Sequence, residues 1–120
     1  MQNPKTTPKN NIILGGAVGN CVHVAGVFNY LQLAESVGYQ TIFLGAAVPP
    51  ERWVQAIAEY DPAIVCVSYR LTPSALPAIL DNFFYRLKQQ SILDDRKYYF
   101  GGTSQCIDIA RKYKHFSEFF

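Results

Sequence analysis

Four short apolar runs, each separated from the next by a stretch of helical period, constrain this chain more than anything else in it. They are Ile12-Ile13-Leu14-Gly15, Thr41-Ile42-Phe43-Leu44-Gly45, Ala63-Ile64-Val65-Cys66-Val67-Ser68 and Lys97 to Phe100. Each is too short for an ordinary helix and too apolar for a surface loop, so each reads as a buried strand. The third is apolar on both faces, as a central parallel strand must be.

The stretches between them carry the helices. Val24, Val27, Phe28, Leu31 and Ala34 recur at helical spacing within residues 23–37, and Gly38 stands where a helix ends on glycine. Pro49-Pro50-Glu51 opens a second helix, with Val54, Ile57 and Ala58 toward the core, and Asp61-Pro62 stops it. Ser74 is placed to cap a third helix with a wide stripe of Leu76, Ile79, Leu80, Phe83, Phe84 and Leu87. Asp94-Asp95-Arg96 is a polar turn. Ser104 is placed to cap a fourth helix bearing Cys106, Ile109, Ala110 and Tyr113, and residues 116–120 form a fifth strand. The order βαβαβαβαβ predicts a doubly wound α/β domain, in which helices on both faces cover a five-stranded parallel sheet, a three-layer αβα arrangement. Ligands of such sheets bind beyond the carboxyl ends of the strands. Residues 15–23, 45–50, 68–74 and 101–104 are therefore where function is to be sought.

Composition narrows the partners. The 120 residues suit one domain. With 11 basic and 9 acidic residues the net charge is +2, and the basic residues are scattered, which argues against nucleic acid. No apolar run reaches membrane-spanning length, and the polar start of the chain is not a secretory signal. Residues 1–10, with Pro4 and Pro8, read as a disordered leader, leaving 11–120 as the domain. Cys21, Cys66 and Cys106 form no C-x-x-C, so neither a zinc site nor a disulfide framework is indicated, and a reducing cytoplasm is expected. Cys66 and Cys106 read as core packing.

Several chemistries fail on the loops. Gly15, Gly16 and Gly19 lack the G-x-G-x-x-G spacing, and no acid ends the second strand, so a dinucleotide site is not supported. There is no G-K-[ST] phosphate loop. A receiver domain needs acids after the first strand and an Asp after the third, where this chain has Gly15-Gly16 and Ser68-Tyr69.

Four loop segments instead share one pattern. Cys21-Val22-His23-Val24-Ala25-Gly26 resembles the D-x-H-x-x-G motif of the cobalamin-binding domains of methionine synthase and the corrinoid methyltransfer proteins, with Cys21 in place of Asp. Leu44-Gly45-Ala46-Ala47-Val48-Pro49-Pro50-Glu51 resembles that family's L-G-x-x-V-P-x-E segment. Ser68-Tyr69-Arg70-Leu71-Thr72-Pro73-Ser74 resembles its S-x-L-x-T-P-S segment, with Arg70 where Leu is usual. Gly101-Gly102, followed by Thr103, resembles its paired glycines after the fourth strand. The four segments stand in the family's order, over nearly the whole domain.

The resemblance implies a flavodoxin-like (Rossmann-like) fold and a cobalamin cofactor. It makes His23 the lower axial ligand of the cobalt, oriented through its second nitrogen. The displaced nucleotide tail would run between the first helix and the sheet, past Gly26, Ser68, Gly101 and Gly102. Val48 and Pro49 would shape the loop near the corrin, Arg70 would reach a phosphate or carboxyamide or point to solvent, and Ser74 would complete an Asp-His-Ser relay. Val22, Leu71, Thr72 and Thr103 belong to the same loops. Cys21 alters the relay, because a neutral thiol is a weak acceptor for the imidazole N–H; Asn20 offers another acceptor. Set beside these roles, Ser68 can be the polar end of a strand, Ser74 an ordinary N-cap and His115 a helix-end residue. Methyltransfer proteins of the family carry a helical cap before this domain and a helix after the fifth strand, so the expectation is a cofactor carrier served by a methyl donor or acceptor protein, with the cap in another segment or chain. A relative without cofactor, acting as an interaction module, and a subunit of a radical mutase are the alternatives.

Overall fold

A computed structural model describes residues 10–120. The expected leader falls outside the described residues except for Asn10, whose side chain is tied down. Its Oδ1 accepts from Ile12 N–H and Ala63 N–H, and its Nδ2 donates to the Asp61 carbonyl, at 2.8–3.1 Å. The entry of the first strand is thus fixed to the turn before the third.

Five strands alternate with four helices: β1 Ile12–Val18, α1 Ala25–Ser36, β2 Gln40–Val48, α2 Pro50–Tyr60, β3 Ile64–Tyr69, α3 Leu76–Gln89, β4 Lys97–Gly102, α4 Ser104–Ala110 and β5 Phe116–Phe119. All strand pairs are parallel and the sheet order is β2-β1-β3-β4-β5. The flavodoxin-like three-layer architecture is therefore present. The chain leaves β1 outward to β2 and returns to β3 on the other side, so the switch point lies at the carboxyl ends of β1 and β3.

The helices are divided unevenly. α2, α3 and α4 cover one face, over a core that includes Leu14, Trp53, Val65, Leu80, Phe83 and Phe100. α1 covers the other face, packing Val27 and Leu31 on Ile13, Ile64 and Cys66. Every residue of β3 is buried, as its apolar run requires. Burial also pushes the Cys66 thiol up, away from reactivity.

Strand and cap boundaries depart from expectation in ways that matter for the site. β1 continues through Gly15 and Gly16 to Val18, because these residues keep pairing with Cys66, Val67 and Ser68 of β3. β2 runs on to Val48 and β4 to Gly102 for the same reason. The glycines expected in loops are thus strand residues. α1 begins at Ala25, which leaves His23 in the preceding loop. Ser74 caps nothing: it is exposed within a single 3-10 turn, Pro73–Ala75, and α3 starts after Ala75 without a side-chain cap. Thr103, not Ser104, caps α4, its Oγ1 accepting from Cys106 N–H at 3.3 Å. On α2 the buried residues are Trp53, Ala56 and Ile57, and Ala58 is exposed, because bulky Trp53 sets the buried face one position earlier. Tyr113 lies beyond the end of α4, yet its hydroxyl donates to Asp81 Oδ1 at 2.8 Å. No described helix is long and apolar enough to cross a membrane.

Candidate functional site

Three loops at the carboxyl edge of the sheet meet on Cys21. The turn after β1 needs a left-handed residue, and Gly19 supplies it with φ of +68°. It returns the chain so that Cys21 N–H donates to the Val18 carbonyl at 3.3 Å and the Cys21 side chain is fully buried. The Cys21 carbonyl accepts from Ala47 N–H at 2.7 Å, which binds this loop to the end of β2. Its Sγ accepts from Arg70 N–H at 3.4 Å, which binds it to the loop after β3. The same Sγ lies 3.8 Å from His23 Nδ1.

His23 itself is exposed, as are its neighbours Val22 and Gly26. With Nδ1 turned toward Cys21, Nε2 is the nitrogen on the far edge of the ring. A sulfur already holding the Arg70 N–H accepts a second proton weakly as a thiol and well as a thiolate. The contact of Cys21 with the imidazole is thus that of a weak acceptor while the sulfur is a thiol. Asn20 makes no side-chain bond to the ring among the described residues.

The other predicted residues distribute as follows. Val48 is buried at the end of β2, and Pro49 is exposed and caps α2. Arg70 is exposed and Leu71 half-buried against the core, while Thr72 is exposed with its carbonyl accepting from the Tyr69 hydroxyl at 3.0 Å. Ser74 is not brought to His23 by any contact among the described residues. Ser68 is 2% exposed, the one buried polar residue among those described. It pairs with Gly101 across β3 and β4, and it shares a face with Cys66, two residues earlier, on the α1 side of the sheet.

The two glycines of β4 are glycine for different reasons. A Cβ on Gly102 would collide with the Tyr69 carbonyl, so the main chain of β3 excludes any side chain there. A Cβ on Gly101 would collide with the ring of Phe120. That ring also stacks on Tyr30 of α1, with centroids 4.6 Å apart and planes at 19°. Phe120 is held by main-chain bonds as well: its N–H donates to the Phe100 carbonyl and its carbonyl accepts from Gly102 N–H. Burial, with Cys66 and Tyr99 nearby, pushes the Tyr30 hydroxyl up to about 12. Tyr30 and Phe120, which the sequence reading did not single out, therefore fill the space between α1 and the carboxyl half of the sheet. No sequence signal on Phe120 alone announces this, because the contact depends on β5 lying beside β4.

Comparison with known proteins places the arrangement. No protein-family model matches the sequence, and no curated protein does. Among solved structures, a cobalamin-binding protein from Desulfitobacterium hafniense DCB-2 matches with a TM-score of 0.75 at 24% identity, over 92% of this chain and 53% of that one. The methanol:cobalamin methyltransferase complex MtaBC from Methanosarcina barkeri matches with a TM-score of 0.77 at 18% identity, over 94% of this chain and 43% of that one. The monomethylamine corrinoid protein of Methanosarcina barkeri gives 0.76 at 20% identity, over 98% and 55%. The chain has the fold of these cobalamin and corrinoid proteins. It spans about half the length of each, and at these identities the likeness is one of fold.

Proposed function

We propose that this chain is a cobalamin-binding module that carries a corrinoid for methyl transfer, with His23 as lower axial ligand of the cobalt. The observation that carries the reading is the anchoring of an exposed imidazole, through Nδ1, by the fully buried Cys21 at the carboxyl edge of this fold. The donor set fits. Among the described residues no group of three or more His, Cys, Asp or Glu stands together to hold a metal. An ion at His23 would therefore bring its other ligands with it, as the cobalt of a corrin does. The surroundings fit in part: nothing lies within 4 Å of a Cβ built on Gly26, so that flank is open, whereas the groove at Gly101 is filled by Phe120.

A bound corrinoid supplies a cobalt centre that accepts and passes on a methyl group. The protein's part is to present His23 Nε2 and to orient the ring through Cys21; Ser68, Gly101 and Gly102 line the groove that a nucleotide tail would take only with the Phe120 ring moved aside. Val22, 62% exposed beside His23, adds an apolar contact at the rim. Methyl donor and acceptor come from partner proteins, and a cap over the upper face comes from another segment or chain.

Incubation with hydroxocobalamin, desalting and a visible spectrum test the reading. Retained corrinoid absorbance that His23→Ala shifts to a His-off spectrum is the expected result. A protein that stays colourless both with hydroxocobalamin and with diaquocobinamide, which lacks the nucleotide arm, overturns the reading. The second reading, an interaction module without cofactor, is favoured by the same filled groove and predicts that colourless outcome.

A further inference from the structure

Resting on the corrinoid reading, we propose that Phe120 is a specificity gate: its ring, lodged between Gly101 and Tyr30, excludes the nucleotide arm, so the site favours corrinoids that lack this arm over complete cobalamins.

The geometry makes the exclusion local. In this reading the arm passes between α1 and the sheet, beside Ser68 and Gly101. Gly101 has no side chain, yet its place is taken by Phe120, which a single added Cβ would already strike. The ring is wedged from the helix side by Tyr30, whose own edge meets Tyr99 at 6.2 Å. Deeper in the same layer α1 sits close on β1, with Val27 and Leu31 carbons 3.1–3.3 Å from a Cβ built on Gly15, so the space under the helix at that level is already filled by side chains. His23 and Gly26 lie outside this closed region, exposed at the edge. A corrin ring can therefore reach His23 while its arm cannot enter. Entry of the arm requires the Phe120 ring to leave Tyr30 and vacate the cover of Gly101.

The experiment compares two probes on the whole chain, diaquocobinamide, which lacks the arm, and hydroxocobalamin, which has it. Affinities are read by visible titration for the native protein, Phe120→Ala and Phe120→Leu, with urea midpoints recorded to confirm folding. Because the base of hydroxocobalamin competes with His23 in every variant, the change in the ratio of the two affinities on substitution is the diagnostic quantity. Loss of an aromatic stack corresponds to roughly a 2–10-fold effect. Phe120→Ala is therefore expected to tighten hydroxocobalamin by about 2–10-fold relative to diaquocobinamide. Phe120→Leu, which keeps an apolar cover of smaller size, is expected to fall between and serves alone if the alanine variant does not fold. If both probes bind and the ratio is the same in all three proteins, the gate is overturned and the corrinoid reading stands. If neither probe binds to any of them, the corrinoid reading falls, and the gate with it.

Discussion

Replacing Cys21 by Asp tests the chemistry of the site most directly, because the two consequences have opposite signs. The Cys21 sulfur is fully buried, holds the Arg70 N–H at 3.4 Å and meets His23 Nδ1 at 3.8 Å. A carboxylate there has one oxygen for each donor, and hydrogen bonds to a charged acceptor contribute about 1.5–3 kcal/mol each. Orienting partners of metal-bound histidines typically change metal affinity by about 10–100-fold. Cys21→Asp is accordingly expected to strengthen histidine coordination by about 10–100-fold, or about 1.4–2.7 kcal/mol. Without ligand, the same substitution buries a carboxylate and destabilises the fold by about 1–3 kcal/mol. The first effect is read from nitrogen superhyperfine structure in the paramagnetic resonance spectrum of bound cob(II)alamin, using protein labelled with heavy nitrogen in histidine. The second is read from urea denaturation of the ligand-free protein. A label-dependent splitting that is no stronger in Cys21→Asp than in the native protein would refute the idea that this position orients the ring. A variant as stable as the native protein would refute the burial argument.

Two further expectations concern the scaffold. Asn10→Ala removes two bonds accepted and one donated by a single side chain, so a loss of about 1.5–4.5 kcal/mol in denaturant unfolding is expected at roughly 0.5–1.5 kcal/mol per bond; an unchanged midpoint would show that these bonds do not hold the start of β1. His115 packs on Phe84 with centroids 4.5 Å apart, and burial, then Lys114, hold its pKa below the ordinary 6.5, against the opposing pull of Asp94. The unfolded chain therefore binds the proton more readily, so stability is full above about pH 6.5, falls as pH drops toward the lower folded value and is flat below it. Urea midpoints from about pH 7.5 to 5 should show this fall, and His115→Gln should remove part of it.

Much of this was legible in the sequence because parallel sheets write themselves plainly. A central strand such as Ile64–Tyr69 must be apolar on both faces, and the helices between strands must carry one stripe, as Leu76, Leu80, Phe83, Phe84 and Leu87 do. Boundaries were less legible. Gly15, Gly16, Gly101 and Gly102 look like loop residues, yet strand pairing with β3 carries them into the sheet, since neighbouring main chains decide where a parallel strand stops. Ser74 has the right type for a cap and the wrong place, because Pro73 starts a separate 3-10 turn. At the candidate site, the loop of His23 stands out by its motif, whereas the contact of Cys21 with Arg70 N–H and the filling of the Gly101 groove depend on residues 49 and 19 positions away. Contacts across such separations leave no periodic trace.

The uneven division of helices has a mechanical consequence. α1 covers its face alone over a small core of Ile13, Val27, Leu31, Ala63, Ile64 and Cys66, whereas α2, α3 and α4 share a much larger core on the other face. Local opening is cheapest where least apolar surface is surrendered. The face that surrenders less apolar surface on opening is then the one holding Tyr30 and Phe120, and the face with more to lose is the opposite one. A tightly built floor under a yielding wall lets one small domain keep an imidazole in place while the space beside it changes shape.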